Sequence, residues 1–329
     1  MSAGPRVLVT GATGFLGAAL ARALAREGAR VHALSRPGSD RRALEGVPVI
    51  WHTGDVGDRE TLRAAIEGST AIVHAAGRLG EAGVPEDAYR RVNVDGTRNV
   101  LAAALAWSPG ARVLHLSSPG VLGPTRTGPA TEDAPYAPAT PYERSKAEAE
   151  EVARELAGRG LAVVIARPGF IYGPGDRHVL GLFRAVGRGR YFHVDGGRAL
   201  CQPTFVDDAV AGMLACLRSG RPGRAYHVAG PRAVTFRELA DTIAAALGVR
   251  PPGLSLPRPA AMVGAAALEV AGRVTGRRPP LSRAGVAFFS EDRVFSCERA
   301  RAELGWAPEH DLASGVARTV AWYRAQRLL

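Results

Sequence analysis

In the stretch "TPYERSKAEAEEVARELA", Tyr142 and Lys146 stand four residues apart on a helical pattern, so their side chains share one helix face. A tyrosine phenol has a pKa near 10 and is a poor base at neutral pH without help. A neighbouring ammonium favours the phenolate, which makes the pair a usable general acid/base. Lys146 is also the only lysine in 329 residues; the other 41 basic residues are arginine. With 7 tyrosines in the chain, a lysine placed at random follows one by four about once in fifty. Arginine is bulkier and planar, whereas a compact ammonium fits beneath a phenol and can still bond hydroxyls. Upstream, "VLHLSSPGVLGP" ends an apolar run in Ser117 and Ser118, either of which could donate to a substrate carbonyl oxygen or cap the strand end.

A second chemistry-bearing segment is "VLVTGATGFLGAALARAL", an apolar run, a glycine-rich turn and a helical pattern. Gly11, Gly14 and Gly17 have the spacing of a dinucleotide-binding turn. The first permits the tight turn, the second a close approach of pyrophosphate, and the third close helix–strand packing. Amides at the helix start then face the phosphates. At the end of the second strand, an acidic residue would bond a ribose 2′-hydroxyl. Here "VHALSRPGSDRRAL" has Ser35 and then Arg36, which suits a 2′-phosphate and favours NADP(H), with NAD(H) the alternative. Asp55, ending the third strand, could accept from an adenine amine.

The elements that must position these groups alternate. Strand-like runs "RVLVTG", "ARVHALS", "PVIWHTGDV", "TAIVHAAG", "ARVLHLSS" and "LAVVIARPG" are separated by helical patterns, including "LRAAIEG" and a longer one from about Tyr89 to Trp107. Continuous apolar strands at this pitch predict an α/β, Rossmann-type, doubly wound parallel sheet. Residues 1–168 form the expected dinucleotide-binding domain. Residues 169–329, richer in Gly and Pro, form a smaller and less regular substrate-binding region that also continues parts of the first.

Composition excludes several classes. The net charge of +11 comes from arginines spread from Arg6 to Arg327, with no basic block longer than two, so nucleic acid is not the expected partner. Cys201, Cys216 and Cys297 are odd in number and lack metal spacing; buried thiols in a reducing cytoplasm are expected, with no metal site. The opening "MSAGPRVLVTG" runs straight into a strand, so no signal peptide is expected. The apolar run "PAAMVGAAALEVAG" from Pro259 is broken by Glu269 and is too short to span a bilayer.

Six segments, "TGATGFLG", "HAAG", "NVDGTRNVL", "SSPGVLG", "YERSK" and "RPGFIYGPGD", occur in the order seen in extended short-chain dehydrogenases/reductases, which the chain resembles over most of its length. The resemblance implies an enzyme whose catalytic serine falls on Ser118, through the pattern Ser-x-x-Val-x-Gly, with Tyr142 and Lys146 as its partners. It implies cofactor contacts at Thr13, Phe15 and Leu16 within the glycine turn, and at Val56 beside Asp55. Further contacts are implied at Ala75, Ala76 and Gly77, at Ser117, and at Pro168, Gly169 and Ile171. Asn93 matches the family asparagine that supports the active-site helix. A homodimer through the helices carrying Asn93 and Tyr142 is implied by the same analogy.

Two substrate classes compete. Nucleotide-sugar epimerases and dehydratases place Asn where this chain has Phe170. The segments "QPTFVDDAVAGMLAC", "LPRPAAMVGAAALEVAG" and "VFSCERARAELGWAP" resemble instead the 3β-hydroxysteroid and sterol-4-carboxylate dehydrogenase group, although Ser35–Arg36 replaces the acid of its NAD-using members. The expected reaction is therefore NAD(P)(H)-dependent interconversion of a secondary alcohol and a ketone on an apolar, cyclic, steroid- or flavonoid-like molecule. A nucleotide-sugar epimerase or 4-ketoreductase is the alternative. The run near Met262 could line a site for a flat apolar molecule, or be an ordinary packed helix.

Overall fold

A computed structural model describes residues 4–81, 83–125, 127–276 and 281–329. Its centre is a seven-stranded, wholly parallel sheet. β1 (Arg6–Thr10), β2 (Arg30–Ser35), β3 (Val49–Thr53), β4 (Ala71–His74), β5 (Arg112–Leu116) and β6 (Ala162–Pro168) are joined by a seventh strand, Ala225–Val228. The spatial order runs from the seventh strand through β6, β5, β4, β1 and β2 to β3. The order therefore reverses at β1, and the crevice between the carboxyl ends of β1 and β4 is the switch point where such sheets bind ligands.

Alternate strand residues supply the two cores. Val7 and Val9 face a layer built from α1 (Phe15–Arg26) and the helix Val206–Ser219, with Leu20, Leu24, Met213 and Leu217 buried. Leu8, Ile72 and Val113 face the helices Gly96–Trp107 and Pro141–Gly158, through Val100, Leu101, Val152 and Leu156. A third core, around Phe183, Phe205, Phe236 and Tyr323, belongs to the later helices Leu180–Gly187, Phe236–Leu247 and Leu312–Ala325.

Two elements differ from their sequence pattern. The "LRAAIEG" helix shrinks to one turn, Arg63–Ile66, after a 3₁₀ turn at Arg59–Leu62, since so short a segment ends at Gly68 in a left-handed conformation (φ +74°). The long helix begins earlier, at Glu86–Tyr89, and widens into a π-turn over Arg90–Asp95 before Gly96–Trp107. Such π-turns inside a helix are frequent at functional sites, and this one contains Asn93.

Among the described residues no helix is long and apolar enough to cross a membrane, and no three His, Cys, Asp or Glu residues are placed to hold a metal ion.

Candidate active site

The glycine turn is built for close approach. Gly11 is left-handed (φ +68°), and a Cβ there would lie 2.6 Å from the backbone N of Ala76. A Cβ on Gly17 would lie 2.1 Å from the Gly11 carbonyl oxygen, so that glycine serves packing. A Cβ on Gly14 would meet only that same oxygen, at 3.3 Å, and is otherwise open. Gly14 is also the N-cap of α1, with no side chain bonded to the first amides and no acidic residue in the first turn. The turn therefore presents free N–H groups, a positive dipole end and an uncrowded surface, which fits a dinucleotide's pyrophosphate. Phe15 and Leu16 pack inward against the cores, and Thr13 sits between them and Gly11.

A chain of hydrogen bonds ties this turn to the Tyr142 helix. The Ala76 N–H donates to Thr10 Oγ1 (3.2 Å), which bonds His74 Nδ1 at 2.8 Å. His74 Nε2 lies 3.0 Å from Thr97 Oγ1, whose hydroxyl donates to the Asn93 carbonyl at 2.6 Å. Since Thr97 spends its proton there, His74 must carry its own on Nε2 and accept at Nδ1. Burial fixes this neutral form, pushing His74 down to about 3, with the Lys146 charge acting in the same direction. Asn93 then completes the link. Its Oδ1 accepts from the Arg78 N–H (2.7 Å), and its Nδ2 donates to Ser145 Oγ (2.9 Å), which donates to the Tyr142 carbonyl (2.7 Å).

The helix Pro141–Gly158 starts on a capping box, Thr140 Oγ1 accepting from Glu143 N and Glu143 Oε2 from Thr140 N, with Pro141 at its first position. That fixes Tyr142 in the first turn, its ring 3.4 Å from where a Cβ on Gly80 would stand. Burial pushes the Tyr142 phenol up to about 12; a hydrogen bond with Ser118 draws it down, and Glu143 and Tyr89 push it up. Ser118 Oγ also accepts from the Gly120 N–H at 3.1 Å. Lys146 lies one turn on, fully enclosed. Its Nζ donates to the Leu116 carbonyl at 2.8 Å, beside Gly77. Burial pushes its ammonium down to about 8, partly opposed by Glu150. The sequence pairing led us to expect Lys146 to lower the phenol. In this arrangement the ammonium is turned to the Leu116 carbonyl at the end of β5.

Ser117, the neighbour of Ser118, is drawn elsewhere. Its hydroxyl donates to Glu150 Oε1 at 2.5 Å, within a buried cluster in which Arg167 grips both Glu150 oxygens at 2.8 Å. Tyr136 donates to the same carboxylate at 2.6 Å. These bonds and charges hold Glu150 below the usual carboxylate range against the cost of burial. The polar atoms of Ser117 and Asn93 are thus used inside the framework, while Ser118, Tyr142, Pro168, Gly169 and Ile171 line a cleft.

That cleft is about 1100 Å³. Leu79, Val84, Phe170, Met262, Phe288 and Phe295 give it apolar walls, and Phe170 meets Phe288 edge to face at 5.7 Å. Both of its arginines are paired with carboxylates: Arg293 with Glu143 (2.9 Å) and Arg283 with Glu269 (2.9 Å). Residue spacing could not reveal the first pair, whose members are separated by 150 positions.

At the far end of the switch-point crevice, Ser35 is buried at the end of β2 and Arg36 is exposed. Arg41 donates to Ser35 Oγ at 3.0 Å while its guanidinium lies over the Trp51 ring at 4.6 Å. Arg41 was missed from sequence, although "SDRRAL" places two arginines within reach of the strand end. Asp55 Oδ1 accepts from the Gly57 N–H (2.8 Å), and the Val56 carbonyl accepts from Asn99 (2.9 Å).

Residues 7–229 match the NAD dependent epimerase/dehydratase family. Over 98% of its length the chain is 34% identical to "Sterol demethylase protein B" of Methylococcus capsulatus, of which 99% is covered. It is 31% identical, over 92% of each chain, to "4-hydroxy-2-methyl-3-oxo-4-farnesyl-3,4-dihydroquinoline-1-oxide ketoreductase" of Stigmatella aurantiaca. Among solved structures it is similar to DesIV, a dTDP-glucose 4,6-dehydratase from Streptomyces venezuelae with NAD and TYD bound. The TM-score is 0.80, with 28% identity and 98% of both chains covered.

Proposed function

Since the chain belongs to the NAD dependent epimerase/dehydratase family, as an enzyme of the extended short-chain dehydrogenase/reductase type, we propose that it interconverts a secondary alcohol and a ketone on an apolar, cyclic substrate. The observation that carries this reading is the cleft: its walls are apolar and its two arginines are already paired with carboxylates. A sugar nucleotide's diphosphate would have to break such pairs to gain a cation, and breaking one leaves a partly buried carboxylate uncompensated. Phe170, in place of the asparagine expected of that class, points the same way. The named activities of the sterol and farnesyl-quinoline relatives also support an apolar substrate.

When bound, the nicotinamide supplies or accepts the hydride. The chain's own residues handle the oxygen and its proton. The Ser118 hydroxyl, in contact with the Tyr142 phenol, holds the substrate oxygen and stabilises the charge that develops on it. Tyr142 gives its proton to that oxygen in reduction and takes it back in oxidation. A phenol pushed up to about 12 is protonated at neutral pH, which is the form that ketone reduction requires. Lys146, held at Leu116, keeps a positive charge at the carboxyl end of β5 and offers its remaining N–H groups to ribose hydroxyls. The turn at Gly11 and Gly14, with the first amides of α1, would hold the pyrophosphate. Ser35, Arg36 and Arg41 would hold a 2′-phosphate, so we favour NADP(H).

Tyr142→Phe should bind cofactor with unchanged affinity while losing turnover on cyclic ketones. Retained turnover would sink the mechanism. Thermal stabilisation by a nucleotide sugar, with none from steroid- or flavonoid-like ketones, would favour the epimerase alternative.

A further inference from the structure

The helix Arg258–Thr275 is amphipathic the wrong way round for a water-facing element. It carries one acidic residue, Glu269, which is turned inward to the cleft and pairs with Arg283 at 2.9 Å. Met262 and Gly272 line the cleft with it, and Ala261 and Ala265 are buried against Val286. The outward side holds Val263 (72% exposed), Val270 (58%) and Val274 (82%), which the helical period places in one stripe, while Leu268 (37%) lies outside it, toward the edge of the packed side. Gly264, Ala267 and Ala271 fill the exposed positions between them. Leu254, just ahead of the helix, is 61% exposed. A helix facing water alone would carry polar residues there, and an apolar stripe of this kind marks a contact surface.

We propose that this outward face docks on an anionic lipid surface, so that a membrane-dissolved substrate enters the cleft behind the helix; this rests on the apolar-substrate reading above. Charge favours a lipid occupant, since the chain is formally +11 with its basic residues spread over its length, and the one carboxylate of this helix is turned away from the exposed stripe and paired, leaving none there to repel anionic headgroups. Area disfavours a second copy. An 18-residue helix is about 27 Å long and about 10 Å wide, well short of the roughly 800 Å² per partner that a stable interface buries. The stripe also lacks the aromatic anchors of such interfaces. Shallow insertion of valine and leucine side chains, added to the electrostatic attraction, needs neither. Continuity with the site is direct, because the same helix forms a wall of the cleft.

The test is vesicle flotation of the full chain, with phosphatidylcholine alone and with phosphatidylcholine/phosphatidylglycerol. The protein should float with the anionic vesicles, bind at least about tenfold less to neutral ones, and be released by salt. The triple variant Val263→Asp, Val270→Asp, Val274→Asp should keep its melting temperature and its turnover of a water-soluble ketone while losing flotation. Failure of the wild type to float, or equal flotation of the variant, would overturn the proposal. So would sedimentation showing a vesicle-free dimer that the same substitutions split. Flotation needs no substrate, so its failure is distinct from a failure to turn over apolar ketones, which would strike the functional reading.

Discussion

The ammonium of Lys146 donates to the carbonyl of Leu116 across 2.8 Å, pinning the Tyr142 helix to the end of β5. A buried charge with this carbonyl as its one hydrogen-bond partner among the described residues carries an energetic cost. Burial pushes Lys146 down to about 8, so between that value and the ordinary 10.5 the folded protein holds fewer protons than the unfolded chain. Stability therefore rises with pH through this window, and the cost is fully present below it. In denaturant titrations at pH 7 and pH 10.5, the stability of wild type relative to Lys146→Met should improve by about 3 kcal/mol at the higher pH. The variant should nonetheless be catalytically impaired. Lys146→Arg should lose at least about tenfold in kcat, since a planar guanidinium does not fit the enclosed slot beside Gly77.

Gly14 and Gly17 should separate cofactor binding from folding. Gly14→Ala brings its methyl group to 3.3 Å from the Gly11 carbonyl oxygen and to nothing else, so it should cost less than about 1 kcal/mol of stability while weakening dinucleotide affinity about tenfold, or about 1.4 kcal/mol. Gly17→Ala drives a Cβ to 2.1 Å from the Gly11 carbonyl oxygen and should destabilise the fold by about 1–3 kcal/mol. Calorimetric titration and thermal unfolding of both variants check this.

Arg36→Ala combined with Arg41→Ala should raise the Kd for NADP+ about tenfold or more and leave that for NAD+ within about twofold, because only the 2′-phosphate distinguishes them. Equal weakening of both would place the arginines on the adenine or on the fold instead.

Glu150→Gln should unfold the protein at markedly lower denaturant, by about 3–5 kcal/mol, because it leaves the fully buried Arg167 without its carboxylate. The carboxylate is held below its usual range. Its stabilisation is therefore present above the ordinary value of 4.5 and lost as the pH falls through the lowered one. Wild type and variant should converge in stability on acidification, as followed by circular dichroism.

By itself the sequence determined the alternating parallel sheet and the glycine turn, and it supplied Tyr142 and Lys146 as the proposed catalytic pair, with Ser118 added by the family resemblance. These are local signals: strand period, turn chemistry and a four-residue spacing are each written within a few neighbouring positions. The helix carrying Asn93 was also legible, but neither its π-turn nor the partners Asn93 finds in Arg78 and Ser145. Only the tertiary structure decided that Ser117 belongs to Glu150 rather than to the cleft. It alone showed Arg41 bonding Ser35, and the cleft arginines neutralised by Glu143 and Glu269. It also decided where the apolar run at Met262 points, one face into the cleft and the valine stripe outward. Each of these depends on which side chains meet across long stretches of chain. Hydrogen bonding, burial and charge at such meetings depend on distance in space, which residue spacing does not encode.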